Sequence, residues 1–343
     1  MGREALIRVA HIGMHPDRLR ELLDKLGSAE RVLDAVIRGA IQVPPRARAA
    51  AMVPADERIE SAARAGLRLL VKGEGSFPAS LAGLPDAPDF LFCRGDPPQA
   101  LGVALVGTRK ATRYGLDIAA TFGRAAGEAG WPVVSGLARG VDGAAHRGTV
   151  EASAVGVAVL GCGMDLCYPP EHRELREQLI ELGGCVLSEY PSGTPPTGWR
   201  FPPRNRIISG LSAAVVVIEA RVDGGALITA RRGLEQGRDI FAVPGDIDRP
   251  TSEGCNLLIQ DGAHPVLGRD DLIETVGRVL GPPRKATGDE DGSPVLAHLS
   301  SVGRHADDLA AELGWTAPEI LAELARLEAR GRIAWDGGLA TIR

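Results

Sequence analysis

Along residues 1 to 40 apolar positions recur at helical spacing, as in LRELLDKLG and AERVLDAVIRGA, with a glycine after each run where a helix can cap. This predicts a small helical module. The next stretch, QVPPRARAAAMVPADE, mixes Pro, Arg and Ala without a period and reads as a connection into a further helix, with a first boundary near residue 60. From about 65 to 282 the pattern changes to short β-rich apolar runs: GVALVG, WPVVSG, GVAVLG, GCVLSE, AAVVVIEA and DIFAVPG. These alternate with amphipathic stretches such as GLDIAATFGRAAGEAG, PEHRELREQLIELGG and ALITARRGLEQG. Strands read as near-continuous apolar runs when helices cover both faces. The expected fold is therefore α/β, a Rossmann-like, doubly wound, mostly parallel sheet. A polar break over 283–293, containing KATGDEDGS, predicts a flexible linker. The remainder, 294–343, reads as three helices and a hairpin turning at DGG, the order of a winged helix-turn-helix.

Composition narrows the classes. With 343 residues, 44% hydrophobic and only 4% aromatic, the chain can form two or three globular domains whose cores are mostly Ala, Val, Leu and Ile. A formal net charge of -5 argues against general adhesion to nucleic acid, and leaves room for one basic groove on an acidic body. The five cysteines, Cys93, Cys162, Cys167, Cys185 and Cys255, include no CxxC pair. They read as reduced core residues rather than a disulfide framework or a zinc site. The N-terminus has no signal-peptide core and no apolar run reaches the roughly 18 residues of a membrane span, so the expected location is cytoplasmic, with no membrane partner.

In open α/β sheets ligands bind beyond the carboxyl ends of the strands, and the informative motifs sit there. GTRKATRYG places Gly107, Thr108, Arg109 and Lys110 at a strand end and apparent helix start. Free N–H groups and a positive dipole end suit phosphate, although a tight turn with a solvated basic helix start would use the same residues. SGLARGVDGAAHRG does not have GxGxxG spacing and there is no Walker A sequence, so neither a nicotinamide nor any other cofactor is expected. Asp142 and His146, at i and i+4, read as architecture. In GCGMDLCYPPEHREL, Gly161 and Gly163 permit close backbone approach.

The run GWRFPPRNRIISGLS sets Arg200, Arg204 and Arg206 around Phe201 with no acid in it. Such a run can neutralise phosphates on one face while the ring stacks on an unpaired base. Alternatively, Phe201 anchors the core and the arginines pair with Glu189 or Glu219. Asn205 is disfavoured in helix interiors and is expected to fix a loop or a ligand. DGGALITARRGLEQG repeats the device of glycines, turn and helix start, with Thr229 near the same edge.

Taken in order, these motifs, followed by SEGCNLLIQDGA, resemble the DNA-processing protein A (DprA/Smf) family over about residues 70 to 267. The resemblance implies a protein that binds and protects incoming single-stranded DNA during natural transformation and loads a RecA-type recombinase. It further implies a homodimer formed through the Rossmann-like domain, and no catalytic chemistry. The family's DNA pocket maps onto Thr108, Arg109, Phe201, Arg204, Asn205 and Arg206. Two departures matter. GGALITA stands where the family has SGSLITA, removing hydroxyls at Gly224 and Ala226 and leaving backbone N–H groups to meet phosphate. The C-terminal module holds five Arg against seven Asp and Glu, with Glu319, Glu323 and Glu328 on its recognition helix, so protein contacts are expected there rather than duplex reading. The competing class is a nucleotide-processing hydrolase related to the phosphoribohydrolases, which shares the sheet and phosphate loops but carries PGGxGTxxE. Here DGGALITARRGLE lacks the Gly-Thr step, and Glu235 falls too late.

Overall fold

The computed structural model describes residues 2–281 and, beyond them, 295, 299, 304–329, 333–336 and 339–342. The expected linker at 283–293 lies outside the described residues, as does most of the first helix expected after it. The chain divides into two compact units, Met1–Ala286 and Thr287–Arg343.

The first unit begins with five helices: α1 (Arg3–Ala10), α2 (Pro16–Leu26), α3 (Ala29–Ile37), α4 (Pro45–Met52) and α5 (Ala55–Arg64). The expected glycine stops are present, Gly27 and Gly39 having φ of 79° and 81°. The stretch read as a bare connection contains α4. Pro45 occupies the first helical position, where its missing N–H is no loss, and Ala47 and Ala51 bury one face at i,i+4. No boundary between compact units falls near residue 60. Leu6, Val9, Val32 and Val36 of the helices share one core with Phe90, Phe92, Ala158 and Leu160 of the sheet.

The sheet has nine strands: β1 (Arg68–Val71), β2 (Phe90–Gly95), β3 (Gly102–Val106), β4 (Val133–Ser135), β5 (Gly156–Leu160), β6 (Cys185–Ser188), β7 (Ser212–Val217), β8 (Asp239–Ala242) and β9 (His264–Pro265). Their order is β1-β2-β6-β5-β4-β3-β7-β8-β9. All pairings from β6 to β9 are parallel, and β1 and β2 add an antiparallel edge beside β6. The six apolar runs of the sequence are β3 to β8. A short helix α6 (Ala79–Ala82) links β1 to β2, and α7 (Arg113–Glu128), α8 (Val141–Glu151) and α9 (Arg173–Glu181) follow β3, β4 and β5. The later crossovers are α10 (Phe201–Gly210), α11 (Gly225–Glu235) and α12 (Pro250–Gln260), and α13 (Arg269–Leu280) follows β9.

Alternate residues of each central strand serve opposite layers. Val103, Leu105, Ala214 and Val216 pack with Phe122, Ala145 and Val276 of α7, α8 and α13. Ala104, Val106, Val215 and Val217 pack with Ile207, Ala230 and Cys255 of α10, α11 and α12. Both faces are thus covered, which is why these strands show no polar alternation.

In the second unit, β10 (Arg304–His305), β11 (Ile333–Asp336) and β12 (Leu339–Ile342) form an antiparallel sheet in the order β10-β12-β11, with α14 (Ala306–Leu313) and α15 (Ala317–Ala329) between β10 and β11. Leu309, Ile320, Leu324, Leu327 and Ile333 form its core. This is a winged helix-turn-helix, with α15 in the recognition position. Its three acids serve the module itself: Glu319 accepts from Thr316 N and Oγ1, Glu323 pairs with Arg326, and Glu328 accepts from Trp335 N.

Candidate functional site

The chain lays β3, β4, β5 and β6 side by side in one direction and then places β7, β8 and β9 on the other side of β3. That reversal leaves a crevice beyond the carboxyl ends of β3 and β7, where no crossover covers the sheet edge. A cleft of about 260 Å³ opens there. Its walls are Gly107, Thr108 and Arg109 after β3, Asp142 on α8, Phe201, Arg204 and Asn205 on α10, and Gly224, Gly225, Ala226 and Thr229 at the start of α11. Gly107 is required by close approach, because a Cβ there would lie 2.5 Å from Val141 Cγ2 and 2.9 Å from the Glu219 carbonyl oxygen.

The rim and the floor of the cleft differ. At the rim Arg109 is exposed, and its Cζ lies 4.3 Å from the centroid of the half-buried Phe201 ring, a cation–π arrangement that orients the guanidinium without neutralising it. α11 begins at Gly225 with no side-chain cap, so its first N–H groups and positive dipole end are available at the wall. At the floor lie Arg204 and Asp142, only 4% and 7% exposed. Arg204 Nη1 donates to the carbonyls of Gly136 (2.9 Å) and Val159, and Nε donates to Asn205 Oδ1 (3.2 Å). Asp142 Oδ2 accepts from Gly136 N at 3.1 Å. Burial lowers the Arg204 pKa to about 10, against the opposing pull of Asp142 and with a further push from Arg109, so the guanidinium remains charged at neutral pH. Burial raises the Asp142 pKa, opposed by Arg204.

Of the residues singled out from the sequence, Gly107, Thr108, Arg109, Phe201, Arg204, Asn205 and Thr229 come together in this cleft. Asn205 sits inside α10, where Asn is disfavoured. It is tolerated because both ends of its amide are used, Nδ2 donating to Gly225 O at 3.2 Å. Gly161 lies outside the lining but packs beneath the ring, where an added Cβ would meet Phe201 Cδ1 at 2.9 Å. Lys110 is exposed beyond the rim, with its backbone N–H bonded to Thr108 Oγ1.

The other arginines of the basic run point elsewhere. Arg204 and Arg206 are two positions apart on a helix and cannot share a face. Arg206 leaves the cleft to form a bidentate pair with Glu189, at 2.6 and 2.7 Å. Burial alone would lower the Arg206 pKa, but Glu189 outweighs it and the net shift is upward. Arg200 is buried in a turn of 3-10 helix, with Nη1 donating to Pro195 O and Cζ 4.4 Å from the Trp199 ring centroid. The helix start expected after Thr108 is also displaced. α7 begins at Arg113, and its N-terminus is already filled by Glu219, which accepts from Thr112 N and Oγ1 at 2.8 and 2.7 Å. The available helix end is that of α11. Asp142, read from the sequence as architecture, lines the cleft and accepts from Gly136 N of its own motif.

Glu235 lies at the far end of α11, paired with Arg232, and contributes nothing to the cleft. Among the described residues no cluster of side chains suits a metal ion, and no helix is long and apolar enough to cross a membrane. All five cysteines are free thiols.

Residues 68–277 match the sequence family described as DNA recombination-mediator protein A, and residues 281–338 match the DprA winged helix domain. Protein Smf of Escherichia coli is 37% identical over 281 residues, 78% of this chain and 75% of that protein. The DNA processing protein DprA of Bacillus subtilis is 37% identical over 61% of this chain and 71% of its own length. Among solved structures, DprA from Streptococcus pneumoniae superposes with a TM-score of 0.64 at 29% identity, over 79% of this chain and 96% of that one. DprA from Helicobacter pylori, whose structure concerns its single-stranded DNA binding mode, gives 0.55 at 29% identity, over 62% of this chain and 96% of that one.

Proposed function

Because the chain belongs to the DNA recombination-mediator protein A (DprA/Smf) family, we propose that it binds single-stranded DNA in the cleft beyond β3 and β7 and presents it to a RecA-type recombinase during natural transformation. One observation carries this reading: an exposed Arg109, in no salt bridge among the described residues, held over Phe201 at the topological switch point and lining one cleft with the uncapped start of α11. A phosphate fits between the guanidinium and the first N–H groups of α11, which supply the contacts that hydroxyls at positions 224 and 226 would otherwise make. The base attached to that phosphate reaches the Phe201 side of the cleft. Stacking of this kind needs an unpaired base, since a duplex keeps its bases within the stack.

The proposed assembly is a cytoplasmic homodimer without catalytic chemistry or cofactor. The related Helicobacter pylori protein's single-stranded DNA binding mode supports the choice of ligand. The position of Glu235 gives no support to the hydrolase alternative, which would release free base from a nucleotide. Equilibrium titration of the full chain with single-stranded and blunt duplex oligonucleotides of one length tests the proposal. Preference for the single strand is expected, and equal or tighter binding of the duplex would overturn it.

A further inference from the structure

Phe201 is half-buried, with Arg109 Cζ 4.3 Å from its ring centroid and Gly161 packed against it, so it can serve one base at most. A second ring stands beside it, outside the cleft lining. Tyr168, on the segment between β5 and α9, is 36% exposed, and its ring centroid lies 5.9 Å from that of Phe201 at an interplanar angle of 39°. The loop that presents this ring is held along its length: Gly163 N donates to Thr194 O at 2.9 Å, Asp165 Oδ1 accepts from Gly193 N at 2.8 Å, and Cys167 Sγ donates to Pro169 O at 3.4 Å. A base landing on the ring therefore meets a surface that is already fixed, and little ordering is left to oppose stacking. On the side of Tyr168 that belongs to β4, Arg139 Cζ lies 5.9 Å from the ring centroid and is held by both carboxylate oxygens of Glu171. Arg139 is thus neutralised within the protein, so this part of the surface adds a ring without adding free charge.

We propose that Tyr168 is a second base platform: the strand held at Arg109 and Phe201 continues out of the cleft over the segment between β5 and α9 and lays its next base on the Tyr168 ring. This rests on the reading of the cleft as the single-stranded DNA site. Neighbouring bases of one strand are about 3.4 Å apart when stacked and farther apart when the backbone extends, so two rings 5.9 Å apart are within reach of adjacent nucleotides. The 39° tilt prevents two bases from lying flat on their rings while keeping a parallel stack on each other. The strand must splay at this step, which a single strand can do and a duplex resists. Every base has a π-face, so the platform is indifferent to sequence.

The test titrates the full chain with oligodeoxythymidine and with an oligomer of equal length and charge whose sugars carry no base. Wild type is expected to bind the base-bearing oligomer at least about tenfold more tightly, through stacking. Tyr168→Leu, which keeps an apolar side chain and removes the flat ring, should weaken binding of oligodeoxythymidine roughly tenfold while leaving the baseless oligomer within about twofold of wild type. The slope of log affinity against log salt should not change, since Tyr168 neutralises no phosphate. Tyr168→Phe should bind both oligomers as wild type does. Independently of any variant, an oligomer containing 5-iodouracil, which photo-cross-links to rings it stacks on, should label the peptide bearing Tyr168 in wild-type protein. Parental affinity of Tyr168→Leu for oligodeoxythymidine, equal losses for both oligomers, or labelling of the Phe201 peptide without that of Tyr168 would overturn the inference. Failure of wild type to bind either oligomer would instead overturn the assignment of single-stranded DNA itself, and this inference with it.

Discussion

Arg206→Ala is expected to act on folding rather than on DNA. The Arg206 and Glu189 side chains are 6% and 9% exposed, joined by two charge-assisted hydrogen bonds, and Arg206 also donates to Asp86 O at 2.8 Å and Pro203 O at 3.0 Å. Truncation leaves the Glu189 carboxylate buried without its counter-charge, a change that typically costs about 3–5 kcal/mol. At roughly 2–4 °C per kcal/mol for a unit of this size, the first unit should melt some 6–20 °C lower. Glu189→Gln should cost a similar amount, by stranding the guanidinium. Replacing both, Arg206→Met with Glu189→Leu, should recover most of the loss, because the net worth of a buried pair over an apolar contact is small. Differential scanning calorimetry gives the stabilities, and fluorescence titration with a single-stranded oligonucleotide below the lowered melting temperature gives the affinity. An Arg206→Ala protein with parental melting temperature and much weaker DNA binding would refute the reasoning and return Arg206 to the DNA surface.

Arg109→Ala should leave the melting temperature nearly unchanged, weaken single-strand binding, and make the slope of log affinity against log salt shallower by about 0.7, the loss of one phosphate contact. Phe201→Ala should weaken binding by roughly 1–3 kcal/mol with little change of slope, since stacking releases no counterions. Gly107→Ala should destabilise the first unit by about 1–3 kcal/mol in urea unfolding, because its Cβ meets Val141 and the Glu219 backbone. Burial holds the fully buried His146 ring down to a pKa of about 3, with the charge of His172 adding to the shift, while the unfolded chain protonates near 6.5. The unfolded state then binds more protons below 6.5, so this contribution to stability is complete above that pH and declines by about 1.4 kcal/mol per unit as pH falls toward 3. His146→Gln should flatten that part of the stability profile.

The layered sheet was legible because β3 to β8 are buried on both faces and therefore apolar throughout, which leaves a mark on every residue. β9 has two residues and the antiparallel strands β1 and β2 lie at the edge, so their marks are weaker; α4 hid among prolines that in fact start it. The site was legible in position but not in direction. Glycines at strand ends located the crevice, and Gly107, Arg109 and Phe201 followed from it. What sequence spacing could not reveal is which arginine of FPPRNR turns inward, since that depends on Glu189, contributed from beyond β6, and on the 200° rotation between alternate positions of a helix. The same limit applies to α7, whose N-terminus looked free until Glu219, more than a hundred residues later, was seen to fill it.

The central claim is that one cleft, lined by Gly107, Arg109, Phe201 and Arg204, holds the DNA. It is tested most directly by ultraviolet cross-linking of a single-stranded oligonucleotide carrying a thio-substituted base, followed by mass spectrometric mapping of the attached peptides. Cross-links concentrated in the peptides that contain Arg109 and Phe201, and lost on competition with unmodified single strand, are the predicted result. Cross-links concentrated instead in residues 304–342, with the cleft peptides unlabelled, would contradict the account.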